Sequence, residues 1–77
     1  MNPKFKIETV EADGSDVFVR VVQVGSGSFA VSDGSRLGGV AIRAELQEPA
    51  PGKFIFHLVD ASERSALKAG ETVTLET

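Results

Sequence analysis

Residues 25–40 read GSGSFAVSDGSRLGGV and hold five of the chain's eight glycines and four of its serines. Whether a helix opens here decides the fold. Gly25-Ser26-Gly27-Ser28-Phe29-Ala30 fits the dinucleotide spacing G-x-G-x-x-G/A and comes directly after an apolar run. That chemistry requires a helix directly after the glycines, whose free amides hold a pyrophosphate, within an α/β alternation. The next four residues are instead Val31-Ser32-Asp33-Gly34. Asp33 suits a turn because it bonds its own downstream backbone, and Gly34 because it accepts positive φ. The stretch therefore reads as two turns around a short strand, Phe29–Val31, and the chain as all-β. Gly38-Gly39, two residues after Arg36, is left over: neither a tight turn nor a strand starting at Val40 obviously requires both glycines.

Upstream, Phe5, Ile7 and Thr9 alternate with Lys6 and Glu8, the period of a half-buried strand. Asp13-Gly14 suits a hairpin turn. Asp16–Val24, DVFVRVVQV, is the strongest β signal. Val17, Val19 and Val21 share one face, whereas Val22 and Val24 join Phe18 on the other. That pattern fits a bulge near Val21-Val22 or a strand covered on both faces, and the bulge is favoured because a small barrel needs one to bend.

Downstream, Val40, Ile42, Ala44 and Leu46 alternate with Ala41, Arg43, Glu45 and Gln47, and Pro49-Ala50-Pro51-Gly52 stops that strand. Lys53–Asp60, KFIFHLVD, is apolar on both faces, which predicts a central strand with the next helix on one side. Asp60 is placed as the N-cap of that helix, Glu63 as its capping-box partner and Gly70 as its C′ residue. So short a helix must pack on the sheet, through Leu67 and Ala66. Glu71–Thr77 closes the chain as a strand with Val73 and Leu75 inward. The expected fold is all-β: a small, partly open β-barrel of five to six strands with one short helix before the last. A small β-sandwich is the alternative.

The 77 residues are expected to form a single domain, 1–77, and the absence of cysteine leaves apolar burial as its source of stability. Five Phe without Trp or Tyr read as core material. A net charge of −3 argues against a polyanion as main partner, though a local basic patch remains compatible with it. No apolar run is long enough to span a membrane. The opening MNPKFKIETVEADG lacks the apolar core and cleavage site of a signal peptide, so a cytoplasmic location is expected.

Asp33-Gly34-Ser35-Arg36-Leu37-Gly38 fits D-x-S-x-x-G and resembles the second half of the PilZ cyclic-dinucleotide receptor signature. Gly70-Glu71-Thr72-Val73-Thr74-Leu75 also looks like a strand ending of that family. The resemblance implies that Asp33, Ser35 and Gly38 lie on a ligand-contacting turn. The family's upstream R-x-x-x-R, a bidentate clamp on phosphate and guanine, is missing: Val24 stands four residues after Arg20, and Val40 four after Arg36. A site for a small anionic ligand or nucleotide would fall on the Ser32–Gly39 turn, with Asp33, Ser35, Arg36, Gly38 and Gly39.

His57 is the sole histidine, so with no cysteine no transition-metal site is expected and no cofactor is implied. No serine sits on a G-x-S-x-G elbow that His57 would serve as base. Asp13, Asp33 and Asp60 have turn or cap roles, and no carboxylate pair stands out as an acid/base couple. Arg20, Arg43 and Lys53 are candidates for one exposed sheet face, where Phe18 would be the aromatic platform for a nucleic-acid single strand. The leading expectation is a non-catalytic interaction module or subunit acting through protein contact. Homo-oligomers formed by strand-edge pairing are one form of it.

Overall fold

The first hairpin organises the fold in the computed structural model, which describes residues 2–77. β1 (Lys4–Asp13) and β2 (Asp16–Val24) pair antiparallel along their full lengths. Gly14, at φ 63°, takes the first central position of the two-residue turn, where a type II′ hairpin needs positive φ. β3 (Arg36–Leu37), β4 (Val40–Ala41), β5 (Gln47–Ala50), β6 (Lys53–His57) and β7 (Thr72–Glu76) complete one antiparallel sheet. Its order is β4-β3-β7-β1-β2-β6-β5. A single sheet excludes the sandwich alternative.

The sheet curls until its ends approach. Beyond β4, Ile42 bridges Leu58, Arg43 N–H donates to the His57 carbonyl at 2.8 Å, and Val59 N–H to the Ala41 carbonyl at 3.1 Å. The chain leaving β4 thus runs onto the far side of β6. The ladder does not close continuously, and the result is the expected partly open barrel. It has seven strands: the segment expected as one strand over 40–47 is divided, and Arg36–Leu37, expected within the turn before it, pairs as β3. Val40–Ala41 pairs with β3, a bend comes after Ile42, and Gln47–Ala50 pairs with β6. Serving two neighbours forces that break, and it leaves Ala44 and Leu46 exposed rather than inward. Pro49 lies inside β5, an edge strand, where the missing N–H costs no ladder bond.

The interior is lined by Phe5, Ile7, Val17, Val19, Val21, Leu37, Val40, Ile42, Phe54, Phe56, Leu58, Leu67 and Leu75. Phe5 is the hub, meeting Phe29, Phe56 and Phe54 edge-on with centroids 5.0, 5.3 and 5.9 Å apart. Such contacts add about 0.5–1.5 kcal/mol each beyond the area they bury.

Three further expectations about the strands are corrected. Phe29–Val31 is irregular rather than a strand; its ring packing on Phe5 and Phe54, not a ladder, holds it. The bulge lies on β1, where the register jumps between Ile7 and Thr9 and Glu8 is the extra residue. β2 alternates regularly across it, so Val22 and Val24 are outer-face residues, and the exposed Glu8 leaves the ladder at no cost in apolar burial. β6 lies next to the edge strand, not at the centre of the sheet. Its outer residues Ile55 and His57 are half-buried, and Val59 beyond them is 59% exposed.

The helix is a 3-10 helix, Ala61–Ala66, capped by Asp60, which accepts from Ser62 N–H at 2.9 Å and Ser62 Oγ–H at 2.7 Å. Ala66 is exposed, and Leu67, in extended conformation just past the helix, makes the apolar anchor. Gly70, at φ 92°, belongs to a separate turn closed by Glu71 N–H on the Lys68 carbonyl. With six residues the helix is too short for an α turn to propagate.

Candidate functional site

The Ser32–Gly39 turn is largely self-satisfied. Ser35 is fully buried: its Oγ accepts from Ser32 N–H at 2.9 Å, and its own N–H donates to the Ser32 carbonyl at 3.0 Å. Asp33 is exposed at the tip. The exposed Arg36 directs one guanidinium nitrogen to its own hairpin, Nη1 donating to the Gly39 carbonyl at 3.1 Å. Gly38 and Gly39 form the two-residue loop between β3 and β4 at φ 59° and 86°. A type I′ hairpin needs positive φ at both central positions, which accounts for the doubled glycine. Gly38 is also a close approach, because a Cβ there would stand 2.9 Å from Val73 Cγ1. The structure brings Asp33, Ser35, Arg36, Gly38 and Gly39 into one region, while Ser35 Oγ and Arg36 Nη1 turn to protein partners. Neither Arg20 nor Arg43 is hydrogen-bonded to this turn.

The second set of candidates meets on the outer face of β1, β2 and β6. Inward burial of Phe5, Ile7, Val19, Val21, Ile42 and Phe54 sends Lys4, Lys6, Arg20, Arg43 and Lys53 outward. Register then builds rows across the strands. Lys6, Val22, Lys53 and Ala50 form one, and Thr9, Arg20, Ile55 and Gln47 the next. Glu11, Phe18 and His57 form a third, with Arg43 alongside His57 through its backbone bond. Phe18 lies 5.6 Å from the His57 ring, and the Arg20 guanidinium stands 5.8 Å from the Phe18 centroid.

Electrostatics on this face are organised at its hairpin end. Arg20 Nε donates to Glu11 Oε2 at 2.6 Å, and Thr9 Oγ1–H donates to the same oxygen at 2.9 Å. These two hydrogen bonds, Thr9's the larger influence, hold the Glu11 carboxyl below the ordinary glutamate range. His57 Nδ1–H donates to Asp16 Oδ2 at 2.9 Å, which fixes the ring's orientation. Nε2 lies 3.1 Å from Gln47 Oε1, a contact that a protonated ring or the reversed side-chain amide satisfies. Both ring nitrogens are therefore occupied by side chains. Asp16, Gln47 and Glu11 do not stand out in the sequence. Their relation to His57 and Arg20 is set by hairpin register, for which the only sequence signal is the shared alternation of Asp16 with Phe18.

A third feature is an open strand edge. Ile7 donates to the Glu71 carbonyl and accepts from Gly70 N–H, so inward residues of β1 direct their backbone groups toward β7. The β7 pairing ends at Lys6 and these Ile7 bonds, whereas β1 continues to Asp13. Past the bulge the inward positions are Val10 and Ala12, opposite Val19 and Val17, and their amides and carbonyls face no strand. The other edges are guarded. β5 carries Pro49, with the Glu48 side chain bonded to Gly52 N–H, and Ala41 of β4 accepts from Val59.

Among the described residues no group of His, Asp and Glu stands close enough to hold a metal ion, and no helix is long and apolar enough to cross a membrane. The class defined by these features is an all-β domain made of one curled antiparallel sheet. No protein-family model matches the chain, and no curated protein and no solved structure matches it.

Proposed function

We propose that this domain is a non-catalytic binding module that acts through protein contact, extending its sheet at the β1 edge. The observation that carries the reading is the stretch Thr9–Asp13, unpaired on the side away from β2, where Val10 and Ala12 offer two donors and two acceptors in strand geometry. An extended segment added there gains main-chain hydrogen bonds for affinity and contacts to alternate side chains for specificity. Glu8, Glu11 and Asp13 line the edge, which favours a basic segment over a second copy of the same acidic strand. The engagement of both His57 nitrogens by Asp16 and Gln47 supports a structural role for the imidazole over a catalytic one. With no cysteine the fold is independent of redox compartment, and a cytoplasmic setting is part of the proposal.

The test is an amide-shift titration of the full chain with a capped peptide alternating lysine and valine. Perturbation centred on the Val10 and Ala12 amides is expected, and it disappears in Ala12→Pro, which removes an N–H that serves no internal ladder. Absence of shifts at these amides, or shifts indifferent to Ala12→Pro, overturns the proposal.

A further inference from the structure

We infer that the outer face of β1, β2 and β6 is a binding surface for single-stranded nucleic acid. The site is distinct from the β1 edge. Five of the chain's eight lysines and arginines stand on this face: Lys4, Lys6, Arg20, Arg43 and Lys53. The acids on β1 and β2 beside it are Glu8, Glu11, Asp13 and Asp16. The rest of the chain holds three cations, Arg36, Arg64 and Lys68, against seven acids, so the net charge of −3 belongs to the other surfaces.

Two of the neighbouring acids are already engaged. Among the described residues Glu11 is ion-paired with Arg20, and Asp16 accepts a hydrogen bond from His57 Nδ1–H. Lys4, Lys6, Lys53 and Arg43 are left without an ionic partner. Lys4 and Lys6 are two residues apart on one strand, about 7 Å, and Lys53 lies two strands from Lys6, about 10 Å. These cations surround apolar and aromatic side chains rather than more charge. Val22 and Ile55 are half-buried, Val24 is 51% exposed, and Phe18 is half-buried beside Arg20 and His57.

A single strand has both parts such a surface asks for: phosphates for the lysines, and unstacked base faces for Phe18, Ile55 and Val22. A duplex hides its bases in the stack and leaves the apolar centre with nothing to cover it. An acidic protein segment satisfies the lysines but makes no use of the aromatic row flanked by Arg20. Charge complementarity together with the Phe18 ring beside Arg20 therefore favours the single strand.

Fluorescence anisotropy with a labelled oligothymidylate of about ten nucleotides, a length within the usual footprint of one small barrel, tests this. With four unpaired cations the log–log dependence of affinity on salt is expected to have a slope of about −3. Lys6→Ala with Lys53→Ala, both exposed, reduces the steepness of that slope by about 1.4. Phe18→Ala leaves the slope alone and weakens binding about five- to hundredfold, as loss of one stacked base does. Arg64→Ala and Lys68→Ala, off the face, change neither quantity, and circular dichroism confirms that each variant is folded. Failure to bind at low salt overturns the inference. So does equal affinity for polyglutamate with no effect of Phe18→Ala, which would make the face a site for acidic protein.

Discussion

Replacing Gly38 by alanine imposes two penalties, whereas replacing its neighbour Gly39 imposes one. Both residues are left-handed, at φ 59° and 86°, and a Cβ in that conformation costs about 1–2 kcal/mol. At Gly39 the added methyl meets nothing within 4 Å, so that cost is the whole effect. At Gly38 it would stand 2.9 Å from Val73 Cγ1, 3.1 Å from Val73 Cβ and 3.3 Å from Leu67 Cδ2. These are not free ends of long side chains. Val73 is held in β7, and Leu67 is buried at the end of the 3-10 helix. Relieving the overlap displaces packed elements, which costs about 1–3 kcal/mol more. Gly38→Ala is therefore expected to lose about 2–5 kcal/mol and Gly39→Ala about 1–2 kcal/mol. A chain of this length has about 4–12 kcal/mol to lose, so Gly38→Ala stands near the limit of folding. Urea unfolding followed by far-UV circular dichroism measures both, since the chain has neither Trp nor Tyr for fluorescence. Gly39→Asn serves as a control and should cost less than Gly39→Ala, because asparagine visits the left-handed region more readily. Equal losses in Gly38→Ala and Gly39→Ala would refute the close-approach argument and leave only hairpin geometry.

Three further outcomes are expected. Phe5→Ala removes the hub of the aromatic cluster and should cost about 3–5 kcal/mol in the same assay; Phe29→Ala, at the partly buried rim, should cost less. Ser35→Ala deletes the buried acceptor of Ser32 N–H and should cost about 1 kcal/mol, the low end of such losses because the exposed Ser32 can turn to water. Two carboxyls make stability pH-dependent. Asp60 is held below its ordinary range by the Ser62 hydroxyl and then by the Ser62 amide, and Glu11 by Thr9 and Arg20. A depressed folded pKa means that the unfolded chain binds the proton more tightly. Their contribution is thus complete above the ordinary carboxylate range and is lost as pH falls from about 4.5 through the folded values. Urea midpoints at neutral and acid pH should show this decline, and Glu11→Gln with Asp60→Asn should flatten it; an unchanged pH profile in the double variant would show that other groups carry it.

Local chemistry made much of the barrel legible in the sequence. Phe5 and Ile7, the valines of Asp16–Val24, Phe54 and Phe56, and Leu75 declared their inward faces by alternation, because a pleated strand exposes its two faces with a period of two. Asp13-Gly14 and Asp60 declared a turn and a cap, since each acts on backbone within a few residues of itself. Alternation failed between Val40 and Gln47, where the chain leaves β3 for β6 and no local pattern records a change of partner.

What the tertiary structure alone decided is everything that depends on register. The bulge fell on Glu8 because strand pairing, and not the valine pattern of β2, chooses which strand carries the extra residue. The doubled glycine became necessary only once β3 and β4 were paired and Val73 and Leu67 closed over Gly38. Net charge is a sum over the chain and is blind to position, so −3 told against a polyanion. Strand pairing sorted the same charges by face, gathering Lys4, Lys6, Arg20, Arg43 and Lys53 on one side of the sheet. A partner meets that local field, because charges beyond about one Debye length, roughly 8–10 Å in physiological salt, are screened.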